Sequence, residues 1–314
     1  MIALIKVLVY TPSARTAWIR LDFLGLFKMI NEDIINSTTY DADRMAAPVF
    51  SSASWQLMWQ DLAGGLRHWR IWLTLSWQDI RIRYRRSQLG PFWLTISMAI
   101  TIYTMGLLYG HLFKFSLRYY FPYLAAGMLI WSFISLLIVE GTSAFVGTEH
   151  FIKQIKLPYS VFVLRVISRN LIIFFHTIVV FIPLYFIFHI HISFAILMVI
   201  PGLLFIILNG FFFGIVLAII GARYRDVAQL IPSMIQIIFF LTPIIWNPAF
   251  LPEKYQKWVM LNPFAHYIEI IRAPMMSVMP AISSIVVVLG MTVLSGCLAC
   301  YLLAKTRNRI IYWL

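Results

Sequence analysis

Six long apolar runs organise this sequence, at about residues 92–113, 121–139, 171–188, 194–220, 230–246 and 281–303. At 1.5 Å per helical residue, each can reach across roughly 30 Å of hydrocarbon. Inside lipid there is no water to bond backbone N–H and C=O groups, so every such group must bond within its own segment, and these runs are therefore expected to be helices. The pattern predicts an all-α integral membrane protein with six transmembrane helices. Only 12% of the residues are charged, whereas a soluble chain needs about 25% to cover its surface.

The formal net charge is +13. In a membrane protein Lys and Arg collect at cytoplasmic ends and against anionic headgroups, so nucleic acid is not the expected partner. With the segment before the first span placed inside, only Lys114, Arg118, Lys254, Lys257 and Arg272 fall outside. The remaining basic residues after position 54, including Arg67, Arg70, Lys305 and Arg309, fall inside. Both termini are thus expected in the cytoplasm.

Residues 1–54 differ from the rest, with acidic and basic residues in balance and a polar, turn-rich stretch over 31–48. They read as a poorly ordered N-terminal extension. Met29 and Met45 are candidate alternative starts. The apolar stretch at residues 1–10 is too short to span and lacks a basic flank before it, so it makes a poor signal peptide. Cys297-x-x-Cys300 lies in an apolar run with no electropositive neighbour, which favours helix packing over redox or metal chemistry. His189 and His191, two apart, fall on different helix faces and do not suggest a metal site.

The richest segment runs from Trp77 through Arg81, Arg83, Tyr84, Arg85 and Arg86 to Gly90-Pro91 and Trp93. Before it, Trp69, Trp72, Leu73 and Trp77 fit one stripe of an interfacial amphipathic helix over about 62–77 that runs into this basic cluster. The arginines fit two roles, plain positive-inside anchoring or a basic gate for an anionic headgroup. Gly90-Pro91 supplies a turn before the first span. Between spans two and three, residues 149–158 are short, amphipathic and mixed in charge, ending at Pro158. They suit an ordinary loop or a docking helix for a soluble partner. Glu140, near the inner end of span two, faces either a cavity or the headgroup level. Between spans five and six, Pro252-Glu253 and Asn262-Pro263 are helix-start signatures for two short helices, either re-entrant or flat on the outer leaflet.

No G-x-x-x-x-G-K-[ST] occurs, so the chain has no P-loop of its own for ATP. No nucleophilic triad, zinc spacing or paired catalytic carboxylates appear, and no metal or other cofactor is expected. An ion-driven carrier needs coupling charges in several spans, and a membrane glycan transferase needs a large, functional external loop. Here the loop is only modest and Glu140 is the one such charge, which makes both the weaker readings.

The strings Arg83-Tyr-Arg-Arg-Ser-Gln-Leu-Gly-Pro-Phe-Trp93, Phe151-Ile-Lys-Gln-Ile-Lys-Leu-Pro158, Ala222-Arg-Tyr-Arg-Asp226, Leu241-Thr-Pro-Ile-Ile-Trp246 and Leu261-Asn-Pro-Phe264 resemble ABC-2 type permeases. The likeness is greatest to the permease subunits of lipopolysaccharide O-antigen and related polysaccharide exporters, and it covers about residue 55 to the C-terminus. The teichoic-acid and drug exporter branches of the same superfamily remain alternatives. The resemblance implies a homodimer in the bacterial inner membrane, a separate ATP-binding subunit and a lipid-pyrophosphate-linked glycan as substrate. It assigns residues 55–91 to a gate helix with its basic segment, with Arg81, Arg83, Tyr84, Arg85, Arg86, Gly90 and Pro91 at the headgroup gate, and residues 92–314 to the permease domain. It assigns Glu149, Phe151, Lys153, Gln154, Lys156, Pro158, Arg223, Arg225 and Asp226 to the surface that meets the ATPase. Glu140 is a channel candidate, and residues 252–276 form the re-entrant pair.

The orientation has a direct test in a variant whose two native cysteines are replaced. A single cysteine at Gln154 should resist a membrane-impermeant thiol reagent in intact cells, and one at Gln256 should react. Labelling at Gln154 would reverse the topology.

Overall fold

The computed structural model describes residues 52–314 apart from Arg86, Pro91 and Ile192. The expectations for residues 1–51, Arg86 and Pro91 lie outside the described residues. Those described are mostly helical, with no strand among them. In chain order the helices are α1 (Ser52–Arg67), α2 (Trp69–Arg83), α3 (Phe92–Leu112), α4 (Leu117–Thr142), α5 (Glu149–Gln154), α6 (Tyr159–Thr177), α7 (Phe181–Ile187), α8 (Val199–Arg223), α9 (Val227–Leu241), α10 (Glu253–Val259), α11 (Pro263–Met275) and α12 (Ile282–Trp313). A 3₁₀ turn over Ile178–Val180 joins α6 to α7, and another over Phe194–Met198 leads into α8.

Five helical segments are long and apolar enough to cross a membrane: Phe92–Leu112, Leu117–Thr142, Tyr159–Ile187, Phe194–Arg223 and Ile282–Trp313. The sixth run expected from the sequence forms α9, which has only 15 residues. Pro243 explains its length. A residue before proline is pushed out of the helical region, and Thr242 is extended at φ −95°, ψ 137°. The chain continues from Thr242 to Trp246 without a helix.

α4 is the axle of the bundle, packed by α3, α6, α8, α9 and α11. α8 and α12 form the most extensive pair. Their contact is marked by polar groups: Asn209 Nδ2 donates to Thr292 Oγ1 at 2.6 Å, and Ser295 Oγ donates to Asn209 Oδ1 at 3.2 Å. Such bonds between spans contribute about 0.6–2 kcal/mol. α3 and α9 bury little of themselves, α9 only Ile235.

The single amphipathic helix expected over 62–77 is instead divided between two helices. α1 ends at Arg67 because His68 leaves helical geometry at ψ 38°. Its backbone N–H and its ring Nδ1 both lie within hydrogen-bonding distance of Gly64 O. α1 buries Ser54, Leu57, Met58, Asp61, Leu62 and Gly65, one continuous stripe at helical spacing, against α6 and α12. Contact with α6 is backbone-close, and a Cβ on Gly65 would overlap the Ser160 hydroxyl.

Gly65→Ala should therefore loosen α1 from α6. Overpacking of this kind costs about 1–3 kcal/mol, measurable as a lower thermal unfolding midpoint in detergent. An unchanged midpoint would mean that α1 does not pack this closely on α6.

Candidate functional site

α2 carries two apolar faces. Ile71, Leu75, Ser76 and Ile80 are buried on the side that meets α6. Trp69, Leu73, Trp77 and Ile82 are exposed, so a second apolar face of α2 is left uncovered. Trp72, placed by the sequence in the same stripe, instead turns back, and its indole N–H donates to Gly65 O at 3.1 Å. Arg81 and Arg85 are exposed. Gly90 has φ +56°, a left-handed conformation costing other residues roughly 1–2 kcal/mol. Its N–H donates to Ser87 Oγ at 3.0 Å, closing the turn that leads towards α3.

A charged network ties α2 to α4 and α6. Arg165 Nε donates to Asp79 Oδ2 at 2.8 Å, and Arg169 Nη1 donates to the same oxygen at 2.6 Å. Arg169 Nη2 and Asn170 Nδ2 each donate to Glu140 Oε2 at 2.7 Å. Arg83 Nη2 donates to Glu140 Oε1 at 3.0 Å. Asp79 and Arg83 are four apart on α2, as are Arg165 and Arg169 on α6, so each pair shares one helix face. The side chains of Asp79, Arg165, Arg169 and Glu140 are only 14–18% exposed, against 42% for Arg83. Removing one partner of a buried pair costs about 3–5 kcal/mol because the other charge is stranded. A pair open to solvent contributes about 0.2–1 kcal/mol. Arg83 is therefore the loosely held member.

The same end of the bundle holds α5. Lys153 Nζ donates to Glu149 Oε1 at 2.6 Å. That bond holds the Glu149 carboxyl below the usual range, with Arg225 adding a weaker pull. Lys153, Gln154 and Lys156 are exposed, as are Arg223, Arg225 and Asp226. Phe151 lies 5.8 Å from the Arg165 guanidinium, so α5 touches the charged network directly. Pro158 caps α6. Just beyond it the Tyr159 and Ser160 N–H groups donate to the Asp61 carboxylate at 3.0 Å. An anion at a helix N-terminus is favoured by the unpaired N–H groups and the helix dipole. Arg307 Nε on α12 also donates to Asp61, at 3.2 Å. Asp61, 1% exposed, thus joins α1, α6 and α12.

At the opposite end, α11 is buried along most of its length and packs on α4, α8 and α12. Asn262 Oδ1 accepts from Phe264 N at 3.0 Å, the cap expected from its sequence. The irregular stretch after α9 would leave carbonyls unpaired, and side chains meet them. Arg272 Nη1 donates to Pro243 O at 2.7 Å, Tyr120 Oη to Ile245 O at 2.9 Å and Tyr123 Oη to Trp246 O at 3.1 Å. The Arg272 guanidinium lies 4.0 Å from the centre of the Tyr123 ring. A cavity of about 460 Å³ opens beside it, lined among others by Arg118, Tyr119, His189, His191 and Glu269.

The structure thus brings Arg83 and Glu140, named separately from the sequence, into contact. Arg81 and Arg85 stay at the surface close by in the chain, and the 149–158 and 223–226 segments share an end. Asp61, Asp79, Arg165, Arg169, Asn170 and Arg272 were not singled out as site residues by the sequence. The four-residue spacings on α2 and α6 were the available signal.

Comparison with known proteins gives a consistent family. The family model described as "ABC-2 type transporter" matches residues 70–276. Two proteins from Klebsiella pneumoniae, both named "O-antigen export system permease protein RfbA", are 25% and 24% identical over 205 residues. Each alignment covers 62% of this chain and 76% of the relative.

Asp79→Asn should strand two guanidiniums at once. The expected loss is about 3 kcal/mol or more of stability, read as a lower unfolding midpoint. A double-mutant cycle with Arg169→Gln should show a coupling energy within about 0.5–3 kcal/mol. Additive effects would mean that the two side chains do not interact.

Proposed function

The chain belongs to the ABC-2 type transporter family, and from that premise we propose that it is the permease subunit of an ABC exporter for a lipid-linked polysaccharide. The cargo is an O-antigen or a related cell-surface glycan, moved outward across the bacterial inner membrane. The observation that carries this substrate class is the similarity, over 205 residues, to two permeases named for O-antigen export.

The geometry supports a division of labour along the bundle. α2, with Arg81, Arg83, Tyr84 and Arg85 at and just past its end, is the cytoplasmic gate that receives a lipid pyrophosphate. Guanidinium forks suit phosphate oxygens and keep their charge at any cellular pH. α5, with the exposed 223–226 segment, is the docking surface for a separate ATP-binding subunit, which supplies the energy. Because Phe151 of α5 touches Arg165 and Arg165 holds Asp79 of α2, movement at the docking surface bears directly on the gate.

α9 at about 1.5 Å per residue covers roughly 22 Å, short of the roughly 30 Å hydrocarbon. The non-helical 242–246 segment completes a sixth crossing, leaving both termini in the cytoplasm. α10 and α11 are the re-entrant pair at the outer mouth. The sparsely covered faces of α3 and α9 suit a second copy of the chain, with the glycan path between the two.

The test is export with its partner. Lys153→Glu with Lys156→Glu should reduce co-purification of the ATP-binding subunit several-fold and lower surface glycan, while the permease still inserts. The chain purified alone should hydrolyse no ATP. ATPase activity from this chain alone, or normal surface glycan in cells deleted for it, would overturn the proposal.

A further inference from the structure

Arg83, one of the arginines assigned to the gate, already holds an anion of the protein's own. We propose that Glu140 is a resident counter-ion which Arg83 exchanges for a phosphate group of the arriving substrate. Glu140 thereby sets the threshold that a headgroup must exceed to load. This rests on the reading of α2 as a pyrophosphate gate.

Three observations converge. Glu140 accepts four hydrogen bonds, and three of them, two from Arg169 and one from Asn170, go to Oε2. Arg83 alone holds Oε1, so its departure leaves the carboxylate anchored. Arg83 is also the exposed member, while the other four charged side chains are largely buried. Finally, charge accounting separates Arg83 from its neighbours. Asp79 and Glu140 balance Arg165 and Arg169 one for one, and Arg83 is the surplus cation. When it swings out, the buried core it leaves is neutral. The exposed Arg81 and Arg85 lie two residues to either side of it.

The exchange confers selectivity. Glu140 offers Arg83 a single carboxylate oxygen, and an incoming group wins by offering more. A pyrophosphate carries at least two charges and several oxygens, enough for Arg81, Arg83 and Arg85 together. A zwitterionic headgroup brings no net charge, and a phosphodiester lipid brings one. Bulk phospholipid is thus kept from the gate by a competitor built into α4.

The test uses the full chain in phosphatidylcholine nanodiscs, with farnesyl pyrophosphate and inorganic pyrophosphate as probes and Kd as the readout. Glu140→Gln removes the competing charge while keeping an acceptor for Arg169 and Asn170. It should tighten farnesyl pyrophosphate binding about fourfold, in line with the modest strength of an exposed pair. Arg83→Gln should weaken it by a similar factor, and the double variant should bind no tighter than Arg83→Gln alone. A gain shared by inorganic pyrophosphate assigns the exchange to the head itself, and a gain confined to the farnesyl form assigns it to a head presented from the membrane. Unchanged or weaker binding by Glu140→Gln, or a double variant tighter than Arg83→Gln, overturns the exchange. If wild-type protein binds neither probe, the pyrophosphate-gate reading falls first. Should Glu140→Gln fail to insert, the wild-type chain still decides. Farnesyl pyrophosphate should slow phenylglyoxal modification of Arg83 and leave Arg169 unaffected, and no slowing at Arg83 overturns the proposal.

Discussion

A carboxylate carried into a helix bundle surrounded by lipid must bring cations and N–H donors with it, or it shifts to its neutral form. Asp61, Asp79 and Glu140 meet that demand at one end of this bundle, each by recruiting partners from other helices. Asp61 takes the first N–H groups of α6 and Arg307 of α12. Asp79 takes Arg165 and Arg169, and Glu140 takes Arg169, Asn170 and Arg83. The positions of α1 and α2 against the spans follow from these pairings as much as from apolar packing.

Backbone satisfaction governs the other end in the same way. Pro243 breaks α9, and irregular backbone near a membrane is tolerated only where protein or water meets its polar groups. Arg272, Tyr120 and Tyr123 do so, which explains why an arginine only 4% exposed is stable on α11. Its positive charge rests on Glu269 and on the Tyr123 ring face.

The five long spans were legible because hydropathy reports them directly, whereas the sixth apolar run yields only the 15-residue α9. α12 runs ten residues beyond its apolar stretch, to Trp313, since a polar helix continuing into water leaves no hydropathy signal. The starts of α10 and α11 were legible from Pro252-Glu253 and Asn262-Pro263, where local chemistry determines the cap. The break at His68 was not, because it depends on a bond back to Gly64 in a stretch with ordinary helical spacing. Neither were the partners of Asp79. They lie 86 and 90 residues away, and a charge pattern on each helix says which face is polar without saying which helix answers it. For that reason Arg165 and Arg169 looked like positive-inside markers only.

The Asp61 junction has a consequence for how the chain is made. Two arginines in the middle of α6 are costly to insert alone, but Asp79 and Glu140 precede them in the sequence and await them as synthesis proceeds. Asp61 receives the α6 N–H groups early, yet Arg307 lies 246 residues further on. Until α12 emerges, α1 therefore rests on an incomplete junction. Completion of α12 closes it, so the seating of α1 reports whether α12 is in place.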